Sequence, residues 1–223
     1  MSRTTQGLLL ALLGAMLVRI AVTGEYLRFV APWTRWPLAV TGVILVLLAI
    51  RPLLWRSPER SDPVPWATWL LLVPTLVVFV VAPPPLGAYV AERRAAQPPP
   101  PPEPVFAPLD THLDPVPVEL EEFVWRAQSR KGETLEGHRV ELIGFVSGRS
   151  SEAWHLTRLT IACCAADALV VRVRIAEPDG PPRDQWVRVV GTWVPGTGTS
   201  PRAVPQIEVE SVKRIATPKE VYG

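Results

Sequence analysis

Two adjacent cysteines, Cys163 and Cys164, are the only thiols in the chain, and Asp167 follows Cys164 after two alanines. Thiolates bind soft metals, exchange into disulfides and act as nucleophiles, and each use makes a demand on the surroundings. On a regular strand, adjacent side chains point to opposite faces. The pair can therefore share one ion, or bridge, only in a turn or bulge. Cys163–Ala168 falls where a strand-like segment, Trp154–Ile161, ends. A cysteine nucleophile needs a base positioned beside it, and His155 and His138 are the nearest imidazoles in sequence. No C-x-x-C or H-x-x-x-H spacing accompanies the pair. Buried structural cysteines are the simplest reading, because free cysteine packs as a small apolar group. The alternatives are a soft-metal site, such as zinc, using Cys163 or Cys164 with Asp167 and His155; a redox-active vicinal disulfide; and a contact for a partner. The sequence holds no paired-carboxylate, Ser/His/Asp or phosphate-loop constellation, so the chain reads as non-enzymatic.

The cysteines lie within a run of five β-type segments: His138–Ser147, Trp154–Ile161, Leu169–Ala176, Gln185–Val194 and Gln206–Ile215. The third is the clearest, with Val171, Val173 and Ile175 facing in and Arg172 and Arg174 out. Turn residues cluster between the segments, at Gly148–Ser151, Glu177–Pro182 and Pro195–Pro201. Before them, Leu120, Phe123, Val124 and Ala127 repeat at helical spacing within Val118–Ala127. Five short strands predict a small closed barrel, with the OB type as the best-known solution; an SH3-like barrel or a small sandwich fits the same periodicity. Trp154, Trp186 and Trp193 either close this barrel or offer stacking faces for a glycan.

The first 82 residues differ in kind. Gly7–Val22, Trp36–Leu54 and Pro65–Val81 are apolar runs, each close to the roughly 17–25 residues that cross a bilayer core. Arg19 and Arg51 sit near run ends, where long side chains snorkel to the headgroups. Trp33, Trp36, Trp55, Trp66 and Trp69 flank the runs as an interfacial belt would. Residues 83–117 are rich in proline, which favours an extended, semi-rigid spacer. The predicted class is therefore α+β: three transmembrane helices within 1–82, a Pro-rich tether at 83–117, and a five-stranded OB-like barrel with one preceding helix at 118–223. The distribution of Lys and Arg around the spans favours an internal N-terminus, which puts the barrel of a multi-pass inner- or plasma-membrane protein outside the cytoplasm. Residues 1–102 carry 9 Lys/Arg against 4 Asp/Glu, whereas residues 103–223 carry 14 against 17. The globular half is thus slightly acidic, which argues against a nucleic-acid partner.

Three blocks carry a family resemblance: Gly24–Pro32, Leu156–Ala168 and Val187–Trp193. Together they resemble the YcgQ-like family of bacterial membrane proteins, over nearly the whole chain. The most specific part is the Arg–x4–Cys–Cys–x2–Asp block, which transfers to Arg158, Cys163, Cys164 and Asp167. The resemblance implies a subunit, since family members are typically encoded beside a predicted permease of unknown substrate. Some members carry a His-rich loop between the second and third spans. Here Arg51–Asp62 holds no histidine, a departure from a metal-sensing loop.

Overall fold

The structure, a computed structural model, describes residues 3–54, 70, 73, 77, 86–94, 106–110, 112–200, 203–218 and 220–222. It divides into two compact units, Met1–Pro85 and Leu86–Gly223.

In the first unit, helices α1 (Arg3–Thr23) and α2 (Arg35–Leu54) pack against one another. The contact uses the smallest side chains. A Cβ on Gly42 would stand 2.9 Å from the Gly14 carbonyl oxygen and 2.8 Å from Val18 Cγ2, so glycine is what lets the backbones approach. Arg19 reaches Glu25 at 3.5 Å. Of the three spans expected from sequence, one is found among the described residues. Among the described residues, only Pro32–Ile50 is long and apolar enough for a membrane anchor or signal segment, and the apolar part of α1, Gly7–Thr23, is shorter. α1 opens on the polar residues Arg3, Thr4, Thr5 and Gln6, so its apolar part starts at Gly7, where the expected run starts. The third expected span, 65–81, lies outside the described residues but for the isolated positions 70, 73 and 77.

The second unit is built on a closed mixed β-barrel. Its strands are β2 (Arg139–Ser147), β3 (Trp154–Thr160), β4 (Leu169–Ile175), β5 (Trp186–Trp193) and β6 (Gln206–Arg214), with a two-residue β1 (Val116–Pro117) beside β2. The order runs β2-β3-β4-β6-β5, and β5 returns to pair with β2. All pairings among the five are antiparallel except β4 with β6, where Arg174 faces Gln206 and Ile175 faces Ile207. A bulge between Val190 and Gly191 bends β5 against β6, and a Cβ on Gly191 would collide with the Glu208 carbonyl. Each expected strand is found within one residue of its expected ends.

The barrel fills with Leu142, Trp154, Leu156, Val171, Val173, Ile175, Val187, Val189, Trp193 and Ile207. Helix α4 (Leu120–Gln128) adds Leu120, Phe123, Val124 and Ala127, all fully buried. Burying a large aliphatic or aromatic side chain is worth about 1.5–3 kcal/mol, so this shared core explains why a helix of only three turns is stable. Glu121 and Glu122 in its first turn and Arg126 in its last complement the helix dipole.

A second core lies on the outside of the barrel: Phe145, Leu159, Val170 and Trp186, covered by Ala88, Ala91 and Val221. Ala88 and Ala91 belong to a short helix, α3 (Ala88–Arg93), in a segment that reads from sequence as tether. Its start is fixed by the Ala88 N–H donating to Asp184 Oδ1 (2.6 Å). Its end is held by Arg172, which donates to the Ala91 carbonyl and to the Arg94 carbonyl (2.9 Å). Just before it, the Leu86 N–H donates to the Tyr222 hydroxyl (2.9 Å). Residues 86–94 thus form a strap docked on the outer face of β2 and β3, with Arg172 of β4 bonded to its end.

Candidate functional site

Strand β3 ends at Thr160, and the chain then turns through Cys163 and Cys164 into a single 3-10 turn, Ala165–Asp167, before β4 begins. Asp167 builds this turn. Its Oδ1 accepts the Ala162 N–H (3.0 Å), and its Oδ2 accepts those of Cys163 (2.8 Å) and Cys164 (3.3 Å). The Asp167 N–H donates back to the Cys164 carbonyl (3.0 Å). The Cys164 N–H bond to Asp167 and a bond from the Asp167 N–H to the Cys164 side chain form a capping box, the usual way of satisfying N–H groups at a helical start.

Leaving the strand removes the alternation that would have split the cysteines. Their sulfurs face one another at 3.6 Å. Cys163 is exposed, Cys164 is half-buried, and both are unbridged thiols. The expectation of buried, structural cysteines is therefore corrected: the turn, not the strand, sets their direction, and it brings them to the surface together. The two sulfurs and an Asp167 oxygen lie within 4.8 Å of one another.

The electrostatics follow from this geometry. The Cys163 thiol donates to the Asp167 carboxylate and to the Cys164 sulfur, and its pKa is pushed up to about 12, because a thiolate there would face a carboxylate. The Asp167 carboxyl is held down at about 2, first by the Cys163 hydrogen bond and then by the backbone N–H groups it accepts. A nucleophilic cysteine needs the opposite shift.

A second anchor comes from the strap. Arg94, half-buried at the end of α3, donates to the Ala168 carbonyl (2.6 Å) through Nη1 and to those of Ala165 (3.2 Å) and Ala166 (3.3 Å) through Nη2. These are carbonyls of the 3-10 turn and of the residue that follows it. Charge-assisted bonds of this kind are about twice as strong as neutral ones. Arg94 was not found by sequence reasoning. Its only signal is the i, i+3 pair Ala88 and Ala91 just before it, which proline-rich surroundings obscure.

The other expected site residues lie elsewhere. His155 sits five residues before the end of β3, roughly 16 Å along the strand at ~3.3 Å per residue. Its Nδ1 lies 3.3 Å from the Gly148 carbonyl oxygen, and burial lowers its pKa. It is not part of the thiol cluster, and the soft-metal set that included it is corrected to the two cysteines and Asp167. Near it, Glu92, Gly148, Arg149, Ser150 and Arg183 line a solvent-open cleft of about 500 Å³. Arg158 reaches Glu119 at 3.5 Å, an ion pair that ties β3 to the N-cap residue of α4. Trp154, Trp186 and Trp193 are all buried, so none of the three offers a stacking face. Trp186 packs on Phe145 in the outer core, with ring centroids 5.6 Å apart.

Residues 127–223 match the DUF1980 C-terminal domain family. The matched DUF1980 segment holds the five barrel strands and the whole thiol turn. The strap with Arg94, the two N-terminal helices and most of α4 precede it. No curated protein and no solved structure matches the chain.

Proposed function

We propose that the chain is a non-enzymatic accessory subunit of a membrane permease complex, whose barrel binds a ligand or a partner through the Cys163–Cys164–Asp167 turn. The observation that carries this reading is the turn itself. An exposed thiol and a half-buried one stand 3.6 Å apart beside a carboxylate that disfavours the Cys163 thiolate. That combination suits binding better than covalent catalysis. The barrel is of the OB type on this reading, supported by its strand order and by the one parallel pair that closes it. OB barrels are platforms for binding, and their fold alone implies no reaction.

The subunit role draws on the resemblance to the YcgQ-like family and on the glycine-mediated α1–α2 hairpin. That hairpin exposes Leu8, Leu12, Val40, Val43 and Leu47, an apolar surface suited to lipid and to neighbouring helices. Multi-pass insertion, with the barrel outside the cytoplasm, completes the reading. The test is purification of the tagged full chain from detergent-solubilised membranes at native expression. A polytopic permease subunit is expected to co-purify. A chain that runs alone at every expression level would overturn the subunit role and favour a free-standing membrane-anchored thiol or metal protein.

A further inference from the structure

Which ligand two thiols accept depends on the angle they can span. A zinc-type ion binds thiolate sulfur at about 2.3 Å, and at that bond length the observed 3.6 Å separation subtends about 100° at the ion. That is close to the tetrahedral angle. A linear two-coordinate ion with the same bond length would need the sulfurs about 4.6 Å apart, and the turn would have to open to supply it.

The third donor is already in place. A carboxylate offers about four acceptor sites, and three of those on Asp167 hold the backbone N–H groups of Ala162, Cys163 and Cys164. An Asp167 oxygen also lies within 4.8 Å of both sulfurs. Oδ1, with one backbone partner, can ligate while the turn stays intact. Among the described residues no fourth His, Cys, Asp or Glu joins the group. Structural zinc sites use four protein ligands, whereas a site with three keeps a position open.

We propose that the turn is an exchange site for a soft divalent ion of the zinc type. The ion is bound bent between Cys163 Sγ and Cys164 Sγ, with Asp167 as third donor and the last position left to water or to a donor from another protein. Binding forms two metal–sulfur bonds and releases two thiol protons to solvent; no electron moves. Arg94, by fixing the carbonyls of the turn, positions the sulfurs and touches no ion. This inference rests on the binding role proposed for the barrel and names the chemistry of its ligand.

The test uses the full chain in detergent, reduced and metal-free, titrated with Cd2+ and read by sulfur-to-cadmium charge-transfer absorption. One Cd2+ per chain is expected, displaced by Zn2+. Cys163→Ser and Cys164→Ser should each weaken binding by more than the roughly 10–100-fold lost on removing an outer-shell partner, and Asp167→Asn by at least about 10-fold. No charge-transfer band, a band unchanged in the Cys163→Ser/Cys164→Ser double variant, or binding of Cu(I) alone would overturn the proposal. Should the variants fail to fold, wild-type protein decides: Zn2+ should protect both thiols from alkylation, and equal alkylation rates with and without Zn2+ would refute the site. A chain that binds Cd2+ but purifies without a permease keeps the ion site and loses the subunit role; the converse result does the reverse.

Discussion

At the start of β3, His155 is half-buried, donates from Nδ1 to the Gly148 carbonyl, and is pushed towards its neutral form by burial. At the end of the same strand, an exposed thiol and a half-buried one stand beside a carboxylate. The strap reaches both ends. Glu92 accepts from the Gly148 N–H (3.1 Å) and from Arg183 (2.7 Å) at one, and Arg94 holds the thiol turn at the other. The imidazole end is thus satisfied by the chain itself. The thiol end has its backbone satisfied, and its sulfurs meet only one another and Asp167. A reactive residue type marks a site when several donor atoms of one kind of chemistry are gathered at the surface, as at the thiol end.

Substitutions along and around β3 sharpen this contrast, and they are expected to differ widely in effect. Trp154→Ala, one residue before His155 but inside the barrel, should cost about 3–5 kcal/mol in urea unfolding of the full chain in detergent, because the indole is fully buried in the core. Arg94→Ala removes a charged donor from three carbonyls. Hydrogen bonds to charged groups are worth about 1.5–3 kcal/mol when buried, and partial exposure reduces this to about 1–2 kcal/mol. Arg94→Ala should also change the alkylation rates of both thiols, and Arg94→Lys should restore part of the effect. If Arg94→Ala left those rates untouched, the strap would have no hold on the site.

His155→Gln should cost about 1 kcal/mol or less at neutral pH, as for one partly buried hydrogen bond. Its pH dependence is more informative. The folded state holds His155 below its usual value near 6.5, so the neutral form is favoured by folding. Stability should fall as pH drops from about 6.5 towards the depressed folded value, because the unfolded chain then binds the extra proton. The variant should lose that acid sensitivity, and an unchanged acid profile would count against burial as the cause. Cys163→Ser should shift stability by about 0.5 kcal/mol or less, as exposed substitutions do. The thiol itself should show its environment in kinetics. With its pKa near 12, Cys163 alkylation should keep accelerating with pH well beyond the plateau of an ordinary cysteine near pH 8.5, and Asp167→Asn should move that plateau back down. An alkylation profile levelling near pH 8.5 in the wild type would contradict the hydrogen bond to Asp167.

The barrel was legible in the sequence because its signal is local. Val171, Val173 and Ile175 alternate with Arg172 and Arg174, and period-2 burial fixes a strand without knowledge of its neighbours. The α4 stripe is local in the same way. What the sequence concealed depends on distant residues. Val170 is buried and Arg172 half-buried on the outer face of β4 because the strap lies there, and nothing near either residue announces it. Arg94 meets its carbonyl partners across more than 70 positions of chain. The cysteine direction was undecidable for a different reason. It turns on whether Asp167 pulls three N–H groups into a turn or lets β3 run on, and composition does not distinguish the two. The first apolar run was legible for the same local reason as the barrel: Gly7–Val22 read from sequence is Gly7–Thr23 in the structure.

The account stands or falls on the two sulfurs and the carboxylate acting as one ligand set. X-ray absorption at the zinc edge, on the zinc-loaded full chain in detergent, measures that set directly. The prediction is two sulfur neighbours at about 2.3 Å with the remaining shell oxygen or nitrogen at about 2.0–2.2 Å, and loss of the sulfur shell in the Cys163→Ser/Cys164→Ser variant. A shell of oxygen and nitrogen alone in the wild type would contradict it.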